Sequence, residues 1–600
     1  MNYYLKKLEE IRKDPHQSEA YMSNNSTVVI AGPGSGKTTV LTLKIMRLLQ
    51  EEIPLSRGLA CVTYNRAAAK EFNDRLQLYG YNRRSNVFLG TVHSFCIAEV
   101  IKPFAHLFDY SIPMPLKIIS QKEKKQIFNE VLSYLNISPK ELSIDEMDKE
   151  RSLSITGMSQ VTIPRYDLAL SAAAEYEDRL HSLGKVDYID IVKYATLLIQ
   201  NEKYVRNCLE AKFPWILVDE YQDLGKPLHE MILAIFNSTK IKIFAVGDPN
   251  QSIYSFNGAI PHYLLELYNI PNINPIKLLT NFRSNQEIID AYQLALPPAS
   301  IENYRAGTRI GEKAEFNFFV CQHGIEDQFK EVIRSVIPQC AGQGVPLDEI
   351  CVLVANNYHA KRMSELFQEA GIPYHINKRK DFEISEIVKW LIQCASWSIK
   401  LGRESFSDAF EFWAGVIMQH KGYSILDNLT ERKRFYDVLR KSRLHSHKLS
   451  DWLNSVEEQF NLSALLTNSD AYPDEMDNFK TLIELATSGE FSEFSVENFV
   501  KLLKPENQVT ISTRHSSKGL EFEVVILLGL EEENFPSYRS LQSTDPNKLE
   551  EEFRMFFVCI SRAKRACYLV RSLKESNPWG RVFNKNPSRF WTMLFDVYGE

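Results

Sequence analysis

The stretch VVIAGPGSGKTTVLTLKIMRLL (28–49) constrains the fold more than any other part of the chain. Residues 28–31 are apolar and read as a short buried strand; from Thr38 onward Leu41, Ile45 and Leu48 recur at the spacing of one helix face. Between them Gly32, Gly34 and Gly36 let backbone N–H groups converge at a helix N-terminus, the arrangement that suits an anion. Lys37 then stands where it would meet the β- and γ-phosphates of a nucleotide, and Thr38 where it would meet Mg²⁺, with Ser35 and Thr39 beside them. The strict pattern has glycine where this chain has Ala31. Strand, loop and helix in this order predict a phosphate-binding site.

A phosphate cradle needs acids to complete it. WILVDEYQD (215–223) is an apolar strand that ends in carboxylates. Asp219 is expected to hold Mg²⁺ and Glu220 to polarise the attacking water. Taken alone, such a pair is a solvated strand end; with the Gly-rich loop it completes an ATP-hydrolysing site.

The remaining composition narrows the class. A chain of 600 residues is too long for one core, and 44% hydrophobic with 24% charged residues is an ordinary globular balance. No N-terminal signal pattern and no long uncharged apolar run is found, which predicts a cytoplasmic protein without membrane contact. The nine cysteines are scattered with no metal-ligand spacing, so reduced thiols are expected. The net charge of −6 argues against a protein that coats nucleic acid, and confines any DNA binding to a local groove.

The turn VGDPNQSIYSFNGA (246–259) joins an amide, Gln251, to two aromatics, Tyr254 and Phe256. Further segments follow a fixed order along the chain: QSEA with Gln17, TYNRAAAKEFNDR (63–75), GTVHSFC (90–96), LLTNFRSNQEI (278–288), TISTRHSSKGLEFEVVILLG (510–529) and EEEFRMFFVCISRAK (550–564). Together they resemble the UvrD/Rep/PcrA group of superfamily 1 helicases, from Gln17 to about Lys564.

The resemblance implies roles for particular residues. Gln17 reads the adenine edge, Phe282 stacks on the adenine, and Glu521 contacts the ribose. Gln251 senses the γ-phosphate, and Arg283 and Arg562 are two arginine fingers on the far lobe from Lys37. Thr63, Tyr64, Asn65, Thr91, His93, Tyr254, Phe256, Asn257 and His515 face single-stranded DNA. Several positions depart from the family pattern: Asn257 and Phe553 replace arginines, and Ser561 replaces threonine. Tyr64 and the two aromatics of the turn also have a plain reading as core residues.

The fold implied is α/β: two RecA-like P-loop motor domains with parallel sheets flanked by helices, each carrying a mainly helical insertion. The first motor domain is expected at 1–104 and 205–280 around an insertion at 105–204; the second at 281–395 and 506–600 around one at 396–505. The second insertion holds the most basic run, ERKRFYDVLRKSRLHSHK (431–448), read either as a grip on duplex phosphates or as a solvated helix face. No nuclease domain is recognised after Arg562, so a nuclease would be a separate chain. The reading is an ATP- and Mg²⁺-dependent 3′→5′ DNA helicase or translocase acting on single-stranded DNA and duplex junctions, with a nuclease or repair protein as a possible partner. The alternatives are a DNA-sensing regulatory ATPase subunit paired with a nuclease, as in phage defence, and an RNA motor.

Overall fold

The structure is a computed structural model that describes residues 1–600 apart from 1–2, 64–71, 73, 82–83, 85, 111, 154–165, 255–259, 378–381, 383, 402–404, 422, 468–473, 503–505, 577–580 and 600. The chain divides into two compact units. Met1–Met114, Gln126–Cys340 and Ser517–Glu600 form the first; Pro115–Lys125 and Ala341–Ser516 form the second.

In the first unit, β1 (Thr27–Ala31), β2 (Ala60–Thr63), β3 (Phe88–Thr91), β4 (Trp215–Val218), β5 (Lys242–Gly247) and β6 (Asn274–Leu278) make one sheet in the order β3-β2-β4-β5-β1-β6. Every neighbouring pair is parallel. The register sets Val29 opposite Val246 and Leu217 opposite Phe244, so the loops after β1, β4 and β5 leave from one edge. The strand sequences explain this placement. TVVIA and WILV are near-continuous apolar runs buried throughout, as strands covered on both faces must be. The helical stripe read from the sequence packs here: Leu41, Ile45 and Leu48 join Val29, Leu217 and Phe244 in one core. Each such side chain contributes about 1.5–3 kcal/mol by leaving water.

Two N-terminal helices, α1 (Tyr3–Arg12) and α2 (Pro15–Met22), precede the sheet, and α3 (Lys37–Arg47) follows β1. The α3 helix begins one residue earlier than the apolar spacing predicts, at the lysine itself. Asp14 caps α2 by accepting the Gln17 N–H at 2.9 Å, with Pro15 in the first turn. Lys44 of α3 is wholly buried, and its ammonium donates to the carbonyls of Tyr21, at 3.2 Å, and Ser23 at the end of α2. Burial and the neighbouring Arg47 pull its pKa down to about 7. This buried amine fixes α2, and with it Gln17, onto the helix that follows the glycine loop.

Farther along the first unit, β7 (Thr280–Asn281) and β8 (Arg305–Ala306) form a two-stranded parallel pair. The long strand Ala563–Ser576 runs parallel to Glu315–His323 and to Phe522–Leu527, and antiparallel to Val582–Asn584. The helices Tyr166–Ser182 and Tyr188–Asn201 enclose a charged centre. Arg151, fully buried, meets Asp187 at 2.6 Å, Asp190 at 2.8 Å and Glu177 at 3.0 Å, with its guanidinium 4.7 Å from the Tyr176 ring.

The second unit contains three parallel strands, Ile350–Val354, Tyr374–Ile376 and Val509–Thr513, the last of them central. Its helical part packs around Trp390, Phe435 and Trp452. The first two thirds of the basic run, 431–442, fall on the helix Leu429–Ser442, which turns Phe435, Val438 and Leu439 inward and leaves Lys433, Arg434 and Arg440 exposed. No helix among the described residues is long and apolar enough to cross a membrane.

Candidate functional site

The glycine loop folds as its composition requires. Gly34 and Gly36 adopt φ of +68° and +81°, the left-handed region that glycine enters without penalty. A Cβ at Gly36 would lie 2.6 Å from Gln17 Nε2, and one at Gly34 would lie 2.6 Å from Asn281 Oδ1. Gln17 Nε2 donates to Ser35 O at 2.8 Å, and Ser35 Oγ to Gly32 O at 2.7 Å. The N-terminus of α3 carries no side-chain cap, so its first-turn N–H groups stand over Lys37, Thr38 and Thr39 for an anion.

Asp219 and Glu220 follow β4. Asp219 is buried, and its N–H continues the sheet to Val62 O at 2.9 Å. Glu220 has φ of +50°, a conformation that costs a non-glycine residue about 1–3 kcal/mol and clusters at functional positions. Its carboxylate lies 3.8 Å from Lys37 Nζ and accepts from the Gln222 amide. Burial alone would raise its pKa; Lys37, Lys518, the Gln222 amide and Arg562 outweigh that and hold it down at about 2. It is therefore ionised at neutral pH.

Gln222 links Glu220 to the next loop, because its Oε1 accepts the Asp248 N–H at 2.9 Å. Asp248 in turn accepts from Gln251 Nε2 at 2.6 Å. Lys518 closes the circuit: its ammonium reaches Asp223 at 2.7 and 2.8 Å, the Gln251 carbonyl at 2.7 Å, and lies 5.1 Å from the Tyr254 ring centre. Arg554 adds a hydrogen bond to Ser252 O at 2.8 Å. The turn after β5 is thus held by Glu220's neighbour on one side and by two basic residues from the C-terminal third on the other.

The two arginines lie close together. Arg283 pairs with Glu521 at 2.9 Å and donates to Ser561 O at 3.1 Å. Arg562 is 1% exposed and donates to Val558 O, Leu520 O and Ser561 Oγ. Burial and Arg283 pull its pKa down to about 9. Ser561 therefore touches both guanidiniums, one through its carbonyl and one through its hydroxyl. Phe282 is half-buried, and its backbone N–H donates to Gly34 O at 2.8 Å.

The other residues expected along a nucleic-acid track are more dispersed. Thr63 ends β2, and Thr91 caps the short helix Val92–Phe95 by accepting the Ser94 N–H at 3.2 Å. His93 meets the edge of Tyr188 at 5.2 Å. His515 is exposed in a short turn of the second unit. Tyr64, Asn65, Phe256 and Asn257 lie outside the described residues. Lys518, Asn281, Gln222 and Asp248 were given no role by the sequence, although each lies within a segment that the sequence singles out.

This arrangement can be set against known proteins. Residues 13–271 match the UvrD/REP helicase N-terminal domain, and 276–399 with 402–574 match the UvrD-like helicase C-terminal domain. The chain belongs to the UvrD/REP helicase family. It is similar to the ATP-dependent DNA helicase PcrA of Staphylococcus aureus strain NCTC 8325, 24% identical with 96% of this chain and 85% of the relative covered. The ATP-dependent DNA helicase PcrA of Staphylococcus epidermidis strain ATCC 12228 is likewise 24% identical over the same shares. Within this helicase, both family matches contribute to one site: Lys37, Glu220 and Gln251 come from the N-terminal domain, and Arg283, Lys518, Glu521 and Arg562 from the C-terminal one.

Proposed function

We propose that this helicase hydrolyses ATP to move 3′→5′ along single-stranded DNA and to open duplex at junctions. The observation that supports this most is the continuous polar path from Lys37 through Glu220, Gln222, Asp248 and Gln251 to the Tyr254 turn. A phosphate site and a base-stacking site sharing one hydrogen-bonded path are what a motor needs.

On this reading Lys37 and the N–H groups of Gly34, Gly36 and Thr38 bind the phosphates. Gln17 and Phe282 hold the adenine. Glu521 takes the ribose, and it releases Arg283 when it turns to the sugar. Glu220 polarises the attacking water. Arg283 and Arg562 stabilise charge on the γ-phosphoryl, a contribution of about 10³–10⁵ in rate for one such arginine. Thr38 and Asp219 supply a hydroxyl and a carboxylate, the hard oxygen donors that suit Mg²⁺. When bound, Mg²⁺ neutralises charge on the phosphates. Thr63, Thr91, His93, Tyr254 and His515 contact DNA, and so do Tyr64, Asn65, Phe256 and Asn257. The motor domains at 1–104 with 205–280 and at 281–395 with 506–600 then act as the two moving parts.

The deciding experiment is ATP hydrolysis by the purified chain with and without single-stranded DNA, with Lys37→Ala as the blank. Stimulation by DNA, followed by unwinding of a 3′-tailed duplex and not a 5′-tailed one, is the expected result. Turnover indifferent to DNA would overturn the motor reading, and unwinding from a 5′ tail would reverse the direction.

A further inference from the structure

Asn281 is 1% exposed and spends its amide on two segments at once. Its Nδ2 donates to Pro33 O at 2.8 Å and to the Tyr292 hydroxyl at 3.3 Å. Its Oδ1 accepts the backbone N–H groups of Arg283, at 2.7 Å, and Ser284, at 2.9 Å. Pro33 belongs to the glycine loop, 248 positions earlier in the chain, and Arg283 carries one of the two arginine side chains of the site. One short side chain therefore joins the phosphate loop to the arginine loop. The Phe282 N–H bond to Gly34 O, at 2.8 Å, runs beside it.

The bond to Pro33 O has a consequence for the loop's donors. A trans peptide is planar, with its C=O and the following N–H on opposite sides. Holding the Pro33 carbonyl toward Asn281 turns the Gly34 N–H the other way. The same amide thus orients one backbone donor of the glycine loop and the backbone of Arg283.

Only an amide does both. An aspartate keeps the acceptor for Arg283 and Ser284 but sets an oxygen against the Pro33 carbonyl. An alanine loses both halves and leaves Pro33 O and two N–H groups without this partner.

We infer that Asn281 is a positioning residue for nucleotide turnover, setting the Arg283 guanidinium in register with the phosphate loop. The inference rests on the proposal that Lys37 and Arg283 act on one nucleotide. Asn281 itself touches no reacting atom on this reading.

A double-mutant cycle tests it. ATP turnover is measured for the full chain, Asn281→Ala, Asn281→Asp, Arg283→Ala and the two double variants, with thermal melting as the check on folding. Arg283→Ala is expected to lower kcat by about 10³-fold or more. Asn281→Ala is expected to lower kcat by about 10–100-fold, the scale of an unsatisfied buried group, with KM for ATP changed far less. Asn281→Asp should fall between it and the native chain, because it keeps the Arg283 turn. Each double variant should lose much less than the product of the two single effects, since the half of Asn281 that acts through Arg283 has nothing left to position and only its hold on Pro33 O remains.

A double variant that loses the product of the two single effects would overturn the inference and leave Asn281 a structural residue. So would a native kcat in Asn281→Ala. If Asn281→Ala does not fold, the Asn281→Asp cycle decides by the same criteria. A native rate in Arg283→Ala would instead remove the proposal about Arg283, and this inference with it.

Discussion

Lys518 Nζ lies 2.8 and 2.7 Å from the two carboxylate oxygens of Asp223, a residue 295 positions earlier in the chain. The same ammonium bonds the Gln251 carbonyl at 2.7 Å. One cation therefore ties the segment after β4 to the turn after β5, and its hold depends on the charge of Asp223.

That charge titrates within reach of ordinary buffers. Burial raises the Asp223 pKa from 3.8 to about 6, with Lys518 opposing the rise and Glu220 adding to it. Because the folded value exceeds the unfolded one, the ionised carboxylate is a cost to stability at neutral pH. That cost fades as pH falls through 6 toward 4. Turnover is expected to run the opposite way: protonated Asp223 releases Lys518, so kcat for ATP should fall with a midpoint near 6. Asp223→Asn should remove that acid limb from the pH profile, and a limb that persists in the variant would assign it to another group.

Glu220 is ionised well below that range, so its loss should be independent of pH near neutrality. Glu220→Gln is expected to lower kcat by about 10²–10⁴-fold with KM for ATP nearly unchanged, the pattern of a group that assists the water. Lys37→Ala should abolish turnover with an unchanged circular dichroism spectrum. Full activity in Lys37→Ala would remove the phosphate-loop assignment.

Tyr254 carries the test of the link to DNA. Tyr254→Ala is expected to weaken single-stranded DNA binding by about 1–3 kcal/mol, the worth of one base on an aromatic ring. Measured as the DNA concentration that half-stimulates ATP turnover, the effect should exceed any change in basal rate. An equal fall in both would mean that Tyr254 serves to seat Lys518 instead.

Arg151 predicts a stability effect far from the nucleotide. Burial opposes its charge, but Asp187, Asp190 and Glu177 outweigh burial and hold it protonated. Arg151→Ala leaves those carboxylates without their buried cation and should cost about 3–5 kcal/mol in urea unfolding. A loss under about 1 kcal/mol would show that the acids escape to water or take up protons.

What the sequence made legible was whatever one segment determines by itself. The glycine loop, the apolar strand before Asp219 and the helical stripe Leu41, Ile45 and Leu48 are local patterns, and the structure has β1, β4 and α3 there. Lys518 and Asn281 escaped because their meaning lies in partners 295 and 248 positions away. A lysine between serine and glycine, or an asparagine before an aromatic, carries no local sign of that. The buried Lys44 was hidden for a related reason: it stands on the same helical stripe as Leu41 and Leu48, and only the carbonyls at the end of α2, far from it in sequence, make a lysine fit there.

The left-handed backbone at Glu220 sets the interests of folding against those of turnover. Glycine would adopt φ of +50° without strain, so Glu220→Gly should relieve about 1 kcal/mol or more of backbone cost, offset by glycine's larger entropy when unfolded. It would also empty the place beside Lys37. A pool of variants screened only for heat tolerance has no reason to retain an acid at this position, whereas one screened for ATP turnover should retain it if Glu220 acts on the water as proposed. Selection for heat tolerance and selection for turnover should therefore pull this one position in opposite directions.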